Sequence, residues 1–160
     1  MREFDETIDL KLEQLIAARP ETVWRCWSDP ELFSQWFAPP TVTVRDVDYQ
    51  FFAGGKANLT MVLPDSTVMP LEGCVLEALP AKRLVTTDAL KAGYRPAEKP
   101  FMTAIYDLEP SKSGTRYSAM VLHPTNVERQ QHIDMGFYDG WGTTLKQLAG
   151  LAEHLERTKT

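Results

Sequence analysis

Apolar and charged residues alternate from Ile8 to Leu12, with Ile8, Leu10 and Leu12 set against Asp9, Lys11 and Glu13. A period of two marks a strand buried on one face. The alternation slips near Gln14, where Leu15 and Ala17 compete with Ile16 for the inner face, and a β-bulge is expected there. The period then changes. Val23, Trp24 and Trp27 form an apolar stripe on a short helix over 21–28, with Pro20 suited to its first turn. Asp29-Pro30 breaks that helix and caps a second one over 31–36, which Ala38-Pro39-Pro40 stops.

Strand-like runs follow over 41–50, 57–63, 68–79, 83–87, 101–108 and 116–122. Gly54-Gly55, Pro64-Asp65-Ser66 and Ser111-Lys112-Ser113-Gly114 supply turns between them, and 91–100 reads as a Gly/Pro-containing loop. Strands so close in sequence must pair antiparallel, because parallel pairs need long crossovers. From about Val127 to Arg157 the period becomes helical. Phe137, Trp141, Leu145, Leu148, Ala152 and Leu155 fall on one face of a long helix, while Lys146, Glu153, Glu156 and Arg157 sit elsewhere. Gly136, Gly140, Gly142 and Gly150 interrupt it at about 1 kcal/mol each relative to Ala. Close approach of the helix to a sheet is the expected compensation.

The order is strand, two short helices, a six-strand antiparallel meander and one long helix. It predicts an α+β domain over 1–160 whose curved sheet grips the C-terminal helix and leaves an apolar pocket between them. No repeat, linker or second domain is visible in the pattern.

Composition narrows the partners. The formal net charge is −5 with a pI near 5.2, and the basic residues are scattered. A nucleic-acid binder needs a concentrated basic face, and a polybasic membrane anchor needs the same, so neither partner is expected. No apolar run approaches the roughly 20 residues that span a bilayer, and the acidic opening Met1 to Glu6 lacks the apolar core of a signal peptide. Cys26 and Cys74, without a CxxC companion, read as reduced buried thiols, and the expected location is cytoplasmic.

The run Ala18-Arg19-Pro20-Glu21-Thr22-Val23-Trp24, then Trp27-Ser28-Asp29-Pro30-Glu31-Leu32 and Trp36-Phe37, resembles the opening signature of AHSA-like domains. These are the homologues of the activator of heat-shock protein 90 ATPase, within the SRPBCC group of START-like and birch-pollen-allergen-like folds. Gly54-Gly55, the stretch 73–80 with Arg83-Leu84-Val85, Gly114-Thr115 and Gly140-Trp141 fall in the family's order, so the resemblance runs from about Leu12 to Leu155. It implies a helix-grip fold with a seven-stranded antiparallel sheet, and a cavity that in many relatives holds an apolar or aromatic molecule. Relatives include cochaperones, lipid and polyketide carriers, resistance proteins and cyclases, so the resemblance does not imply one activity.

Candidate chemistry is sparse. His123, Glu128 and His132 look like a ligand set, but His123 precedes Pro124 and falls before the helix, so surface or capping roles are expected and no metal site is proposed. His154 is expected to be solvated. No nucleophile elbow, papain-like signature or phosphate loop is present, and no cofactor is implied. Trp36, Phe37, Met61, Met69, Leu71, Phe101, Ile105, Tyr117, Phe137, Tyr138 and Trp141 are the candidates to line a ligand cavity, although each also suits plain core packing. Tyr106 and Tyr117 lie on strands of opposite parity, so only one is expected to point inward. Arg116 and Glu72 are expected on the outer sheet face, and loop 91–100 is a candidate border of the pocket mouth.

Three functions follow as expectations. The first is a non-enzymatic carrier or sensor of a small hydrophobic ligand. The second is a stress-response module with a chaperone partner, ranked lower because the pattern shows no second chaperone-binding domain. The third, a polyketide cyclase or aromatase, needs a pocket acid or base that the sequence does not identify. Either a monomer or a homodimer is compatible with all three.

Overall fold

The computed structural model describes residues 4–158. The opening residues 1–3, part of the acidic segment read above, lie outside the described residues. Strand β1 (Asp9–Ile16) is followed by helices α1 (Pro20–Ser28) and α2 (Pro30–Trp36). Strands β2 (Thr43–Tyr49), β3 (Ala57–Val62), β4 (Val68–Leu71), β5 (Cys74–Leu79) and β6 (Arg83–Thr87) come next. A small hairpin, β7 (Leu90–Lys91) and β8 (Arg95–Pro96), precedes β9 (Thr103–Ser111), β10 (Gly114–Leu122), α3 (Asn126–Asp134) and α4 (Phe137–Arg157). None of these helices is long and apolar enough to cross a membrane.

The strands do not form a seven-stranded sheet. They divide into a five-stranded antiparallel sheet ordered β1-β10-β9-β6-β5, a three-stranded sheet β2-β3-β4, and the β7-β8 hairpin. The division falls inside the run 68–79 that reads as one strand. Glu72-Gly73 breaks it, and a Cβ at Gly73 would lie 2.7 Å from the Thr87 carbonyl, so only glycine lets the chain pass there. Around this break, Ala57 N donates to Gly73 O (3.1 Å) and Val75 N to Gly55 O (2.9 Å), which binds the two sheets edge to edge.

Sequence and structure also part company on β1. It pairs with β10 without interruption from Asp9↔Leu122 to Ile16↔Thr115, so there is no bulge at Gln14. The inner face simply runs Leu10, Leu12, Gln14, Ile16, and Leu15 is left 64% exposed on the other side. The irregularities lie instead in β2, where Asp46 takes φ 54° between Arg45 and Asp48, and in β5 between Val75 and Glu77. Asp9, expected outside, is fully buried; its Oδ2 accepts from Asp5 N (3.0 Å) while Oδ1 finds no partner among the described residues.

The long helix is two helices. Thr125 and Glu128 form a reciprocal capping box that starts α3, and Gly136, with φ 91°, turns the chain into α4. The predicted α4 stripe holds: Phe137, Leu145, Leu148 and Ala152 are buried, with Trp141 and Leu155 half-buried. The four glycines do not mark close approach, since a Cβ at 136, 140, 142 or 150 meets nothing within 4 Å.

Capping and side-chain bonds lock α4 to the start of the chain. Asp29 accepts from Glu31 N at the α2 N-terminus as its sequence position predicts. Gln147 Nε2 donates to the Trp36 and Ala38 carbonyls (3.0 and 2.8 Å), satisfying groups that the end of α2 leaves open. Glu153 accepts from Ala17 N, and Glu156 accepts from Arg19 and from the Thr22 hydroxyl. Arg19 and its neighbours hold the Glu156 carboxyl well below its usual range. Both cysteines are buried free thiols, and burial pushes Cys26 up to about 11.

Candidate functional site

The β-sheet register decides which side chains meet between sheet and helix. Tyr117 stands opposite Leu108, and Tyr106 opposite Ala119, so Tyr106 and Tyr117 share the inner face. The expectation that only one points inward is corrected: the rings stack 6.3 Å apart, 4% and 0% exposed. On the other sheet, Leu59 stands opposite Leu71, and Met61 opposite both Met69 and Val44. These pairs and the α4 stripe enclose a cavity of about 440 Å³.

Of the predicted residues, Trp36, Phe37, Met61, Met69, Leu71, Phe101, Tyr117 and Trp141 line this cavity. Ile105 does not: it stands beside Val85 and Met120 on the opposite face of the sheet from Tyr106. Phe137 instead packs with Leu10 and Val121 in a smaller buried cluster, and Tyr138, one step round the helix, is 51% exposed. Leu59, Tyr49, Tyr106, Met102, Met135, Leu145 and the backbone at Gly140 complete the apolar surface. Loop 91–100 contributes no lining residue; it folds over the Gly54-Gly55 turn, with Gly93 N donating to Gly54 O (2.8 Å). Arg116 is exposed on the outer face as expected, whereas Glu72, also exposed, reaches the cavity rim beside Lys91.

The polar groups at the cavity are few and mostly engaged. Trp27 Nε1 donates to the Tyr117 hydroxyl at 3.0 Å. Asp88 Oδ1 accepts from Phe101 N and Met102 N at 2.7 and 3.0 Å. The Thr87 hydroxyl pairs with Thr103 (2.8 Å), and Thr144 bonds back to the Trp141 carbonyl. Burial raises all three phenols, Tyr49, Tyr106 and Tyr117, so they remain protonated donors at neutral pH.

The histidines depart furthest from expectation. His123 and His132 are not surface or capping groups; each is 6% exposed, and His123 Nε2 lies 2.9 Å from His132 Nδ1. His123 Nδ1 in turn lies 2.9 Å from the Ile8 carbonyl. Phe101, Phe137 and Trp141 ring His132 at centroid distances of 5.0, 4.9 and 5.8 Å, and the His132 ring lines the cavity. Burial, with a smaller contribution from charge on His123, lowers the His132 pKa to about 4. No local signal marks this pair, because it is made by β1, β10 and α3 meeting across the fold. Glu128 stays in the α3 cap, and His154 is exposed as predicted.

Comparison with known proteins agrees with this architecture. A crystal structure of a Nitrosomonas europaea protein superposes with a TM-score of 0.92 at 39% identity, covering 96% of this chain and 99% of that one. A Chromobacterium violaceum protein matches at 22% identity over 91% and 98% of the two chains, with a TM-score of 0.73. The AHSA1 protein of Silicibacter pomeroyi matches at 22% over 89% and 95%, with a TM-score of 0.66. Below 25% identity these last two speak for the fold alone. None of the curated proteins matches the chain. The family model described as Activator of Hsp90 ATPase homolog 1-like protein matches residues 17–153, most of the chain, and the protein belongs to that family.

Proposed function

We propose that this protein binds a small apolar or aromatic molecule in the cavity between the sheets and α4, without transforming it. The observation that carries this reading is the cavity itself. Its volume of about 440 Å³ falls within the range of small-molecule sites, and its lining is aromatic and aliphatic with a handful of polar groups. Gly140 sharpens the point: a Cβ there would meet open space, so the helix leaves room that almost any other side chain would begin to fill. Met61, Met69, Met102 and Met135 at the lining give an adaptable surface for ligands of irregular shape. Titration with the uncharged, environment-sensitive fluorophore N-phenyl-1-naphthylamine tests the reading. Saturable enhancement and displacement by other hydrophobic compounds are expected; failure of the probe and of a hydrophobic panel to bind would sink it.

A chaperone-associated module is the second reading. It is supported by the family description, which names an activator of the Hsp90 ATPase, and by Val68, Met69 and Leu71 on β4, which are 52%, 40% and 38% exposed. Retention of the protein on immobilised heat-shock protein 90, with a change in ATPase rate, would favour it. A cyclase-like reading stands third. Tyr117 and His132 do both line the cavity, but the Tyr117 oxygen is turned to Trp27, and a histidine with so low a pKa is a weak base.

A further inference from the structure

The His123–His132 pair has only one arrangement of protons when both rings are neutral. The Ile8 carbonyl can only accept, so His123 Nδ1 carries the proton, and His123 Nε2 is left as a lone pair. His132 Nδ1 must then donate to it, which leaves His132 Nε2 unprotonated as well. That nitrogen lies on the ring edge away from His123. Among the described residues no side chain or carbonyl bonds to it, and the one fully buried, unpartnered side-chain polar atom is Asp9 Oδ1. His132 Nε2 is therefore reached by open space, and the open space beside this ring is the cavity.

We infer that His132 Nε2 is a fixed hydrogen-bond acceptor of the cavity, set in that role by His123, and that the ligand carries an O–H or N–H donor on its apolar body. The inference rests on the ligand-binding reading above and names the ligand chemistry it selects. The ring is too enclosed to reorient: Phe101, Phe137 and Trp141 pack edge-to-face around it, and His123 holds its other nitrogen. An acceptor in the cavity wall that gives up its water disfavours any ligand that cannot supply a donor, because the lost hydrogen bond is then not replaced. Two carboxylates also reach the cavity. Asp88 already accepts two amide protons on Oδ1, and Glu72 is exposed at the rim near Lys91, so both are wetter and less directional than His132.

The test uses a matched pair of probes, 2-naphthol and 2-methoxynaphthalene, which share a body and differ in the donor. The ratio of their dissociation constants is measured for the wild-type protein and for His132→Phe, a ring that suits the aromatic surroundings. Loss of one net hydrogen bond predicts that the preference for the naphthol falls about five- to tenfold in the variant. An unchanged ratio, with both probes binding, overturns the acceptor role and leaves the cavity reading standing; failure of both probes to bind wild-type protein sinks both, and binding of 2-naphthol alone supports the acceptor role. A second measurement needs no variant. The ¹⁵N shifts of the ring nitrogens at about pH 8, above the ordinary histidine range, should show His132 protonated on Nδ1 alone, and a proton on Nε2 overturns the inference. His123→Leu, which removes the positioning partner, should populate the Nε2–H form of His132 and pull the probe ratio towards that of His132→Phe.

Discussion

The inner surface of the sheet has two ends that are built from the same residue types and packed to opposite result. Under α1 and α2 the space is filled. Trp27 is 1% exposed and has Tyr106, Trp36, Phe33 and Phe37 around it at centroid distances of 4.6, 5.0, 5.4 and 5.7 Å. Towards the junction of α3 and α4, Phe101 and Trp141 are only half-buried, methionines replace rings, and Gly140 presents no side chain. Tyr106, with Trp36 and Phe37, stands on the border and also lines the cavity; it touches Trp27 on one side and stacks at 6.3 Å on Trp141 on the other. The difference teaches that aromatic content does not by itself distinguish core from site; what distinguishes them is whether each ring is met on every side.

Substitutions can break this contrast in order of size. Trp27→Ala removes the ring that joins α1, α2 and the sheet and leaves the Tyr117 hydroxyl without its donor, so a loss of about 3–5 kcal/mol is expected by chemical denaturation. Gly140→Leu works in the opposite direction. It should weaken fluorophore binding at least about tenfold by occupying the cavity, while unfolding stability stays level or rises by up to about 1 kcal/mol, because glycine is a poor helix former.

The pH dependence falls at the open end. His132 is lowered from 6.5 to about 4 by burial, so as pH falls the unfolded chain takes up its proton first. Its contribution to stability is full above pH 6.5 and is lost as pH falls towards 4. A loss of about 1 kcal/mol is expected, smaller than a sealed site would give because the cavity admits water. His132→Phe should flatten that part of the profile. The smallest effect belongs to Met69→Ala at the mouth, where a side chain already 40% exposed should change stability by less than about 1 kcal/mol. A loss there as large as at Trp27 would erase the distinction between the two ends.

Much of the packed end was legible in the sequence. Spacing along α1 and α4 places Trp27, Leu148 and Ala152 on buried faces, because helical period depends only on neighbours in the chain. What depends on partners far away was not legible. Parity counted along separate strands misplaced Tyr106, since the register opposite β10, with Tyr117 facing Leu108, decides which face it shares. Ile105 was misplaced for the same reason. The break at Gly73, imposed by the Thr87 carbonyl, hid the division of the sheet, and the meeting of His123 with His132 needed the turn at Gly136 and the docking of α3 on β1 and β10.

The claim that one end is open for a ligand is tested most directly by mapping N-phenyl-1-naphthylamine onto the protein by NMR. Saturating probe should shift the methyl signals of Met61 and Met102 and the ring signals of Tyr106 and Trp141, while the Trp27 indole stays in place. Shifts confined to exposed surface residues such as Leu15 and Tyr138, or a uniform response that includes Trp27, would contradict the account.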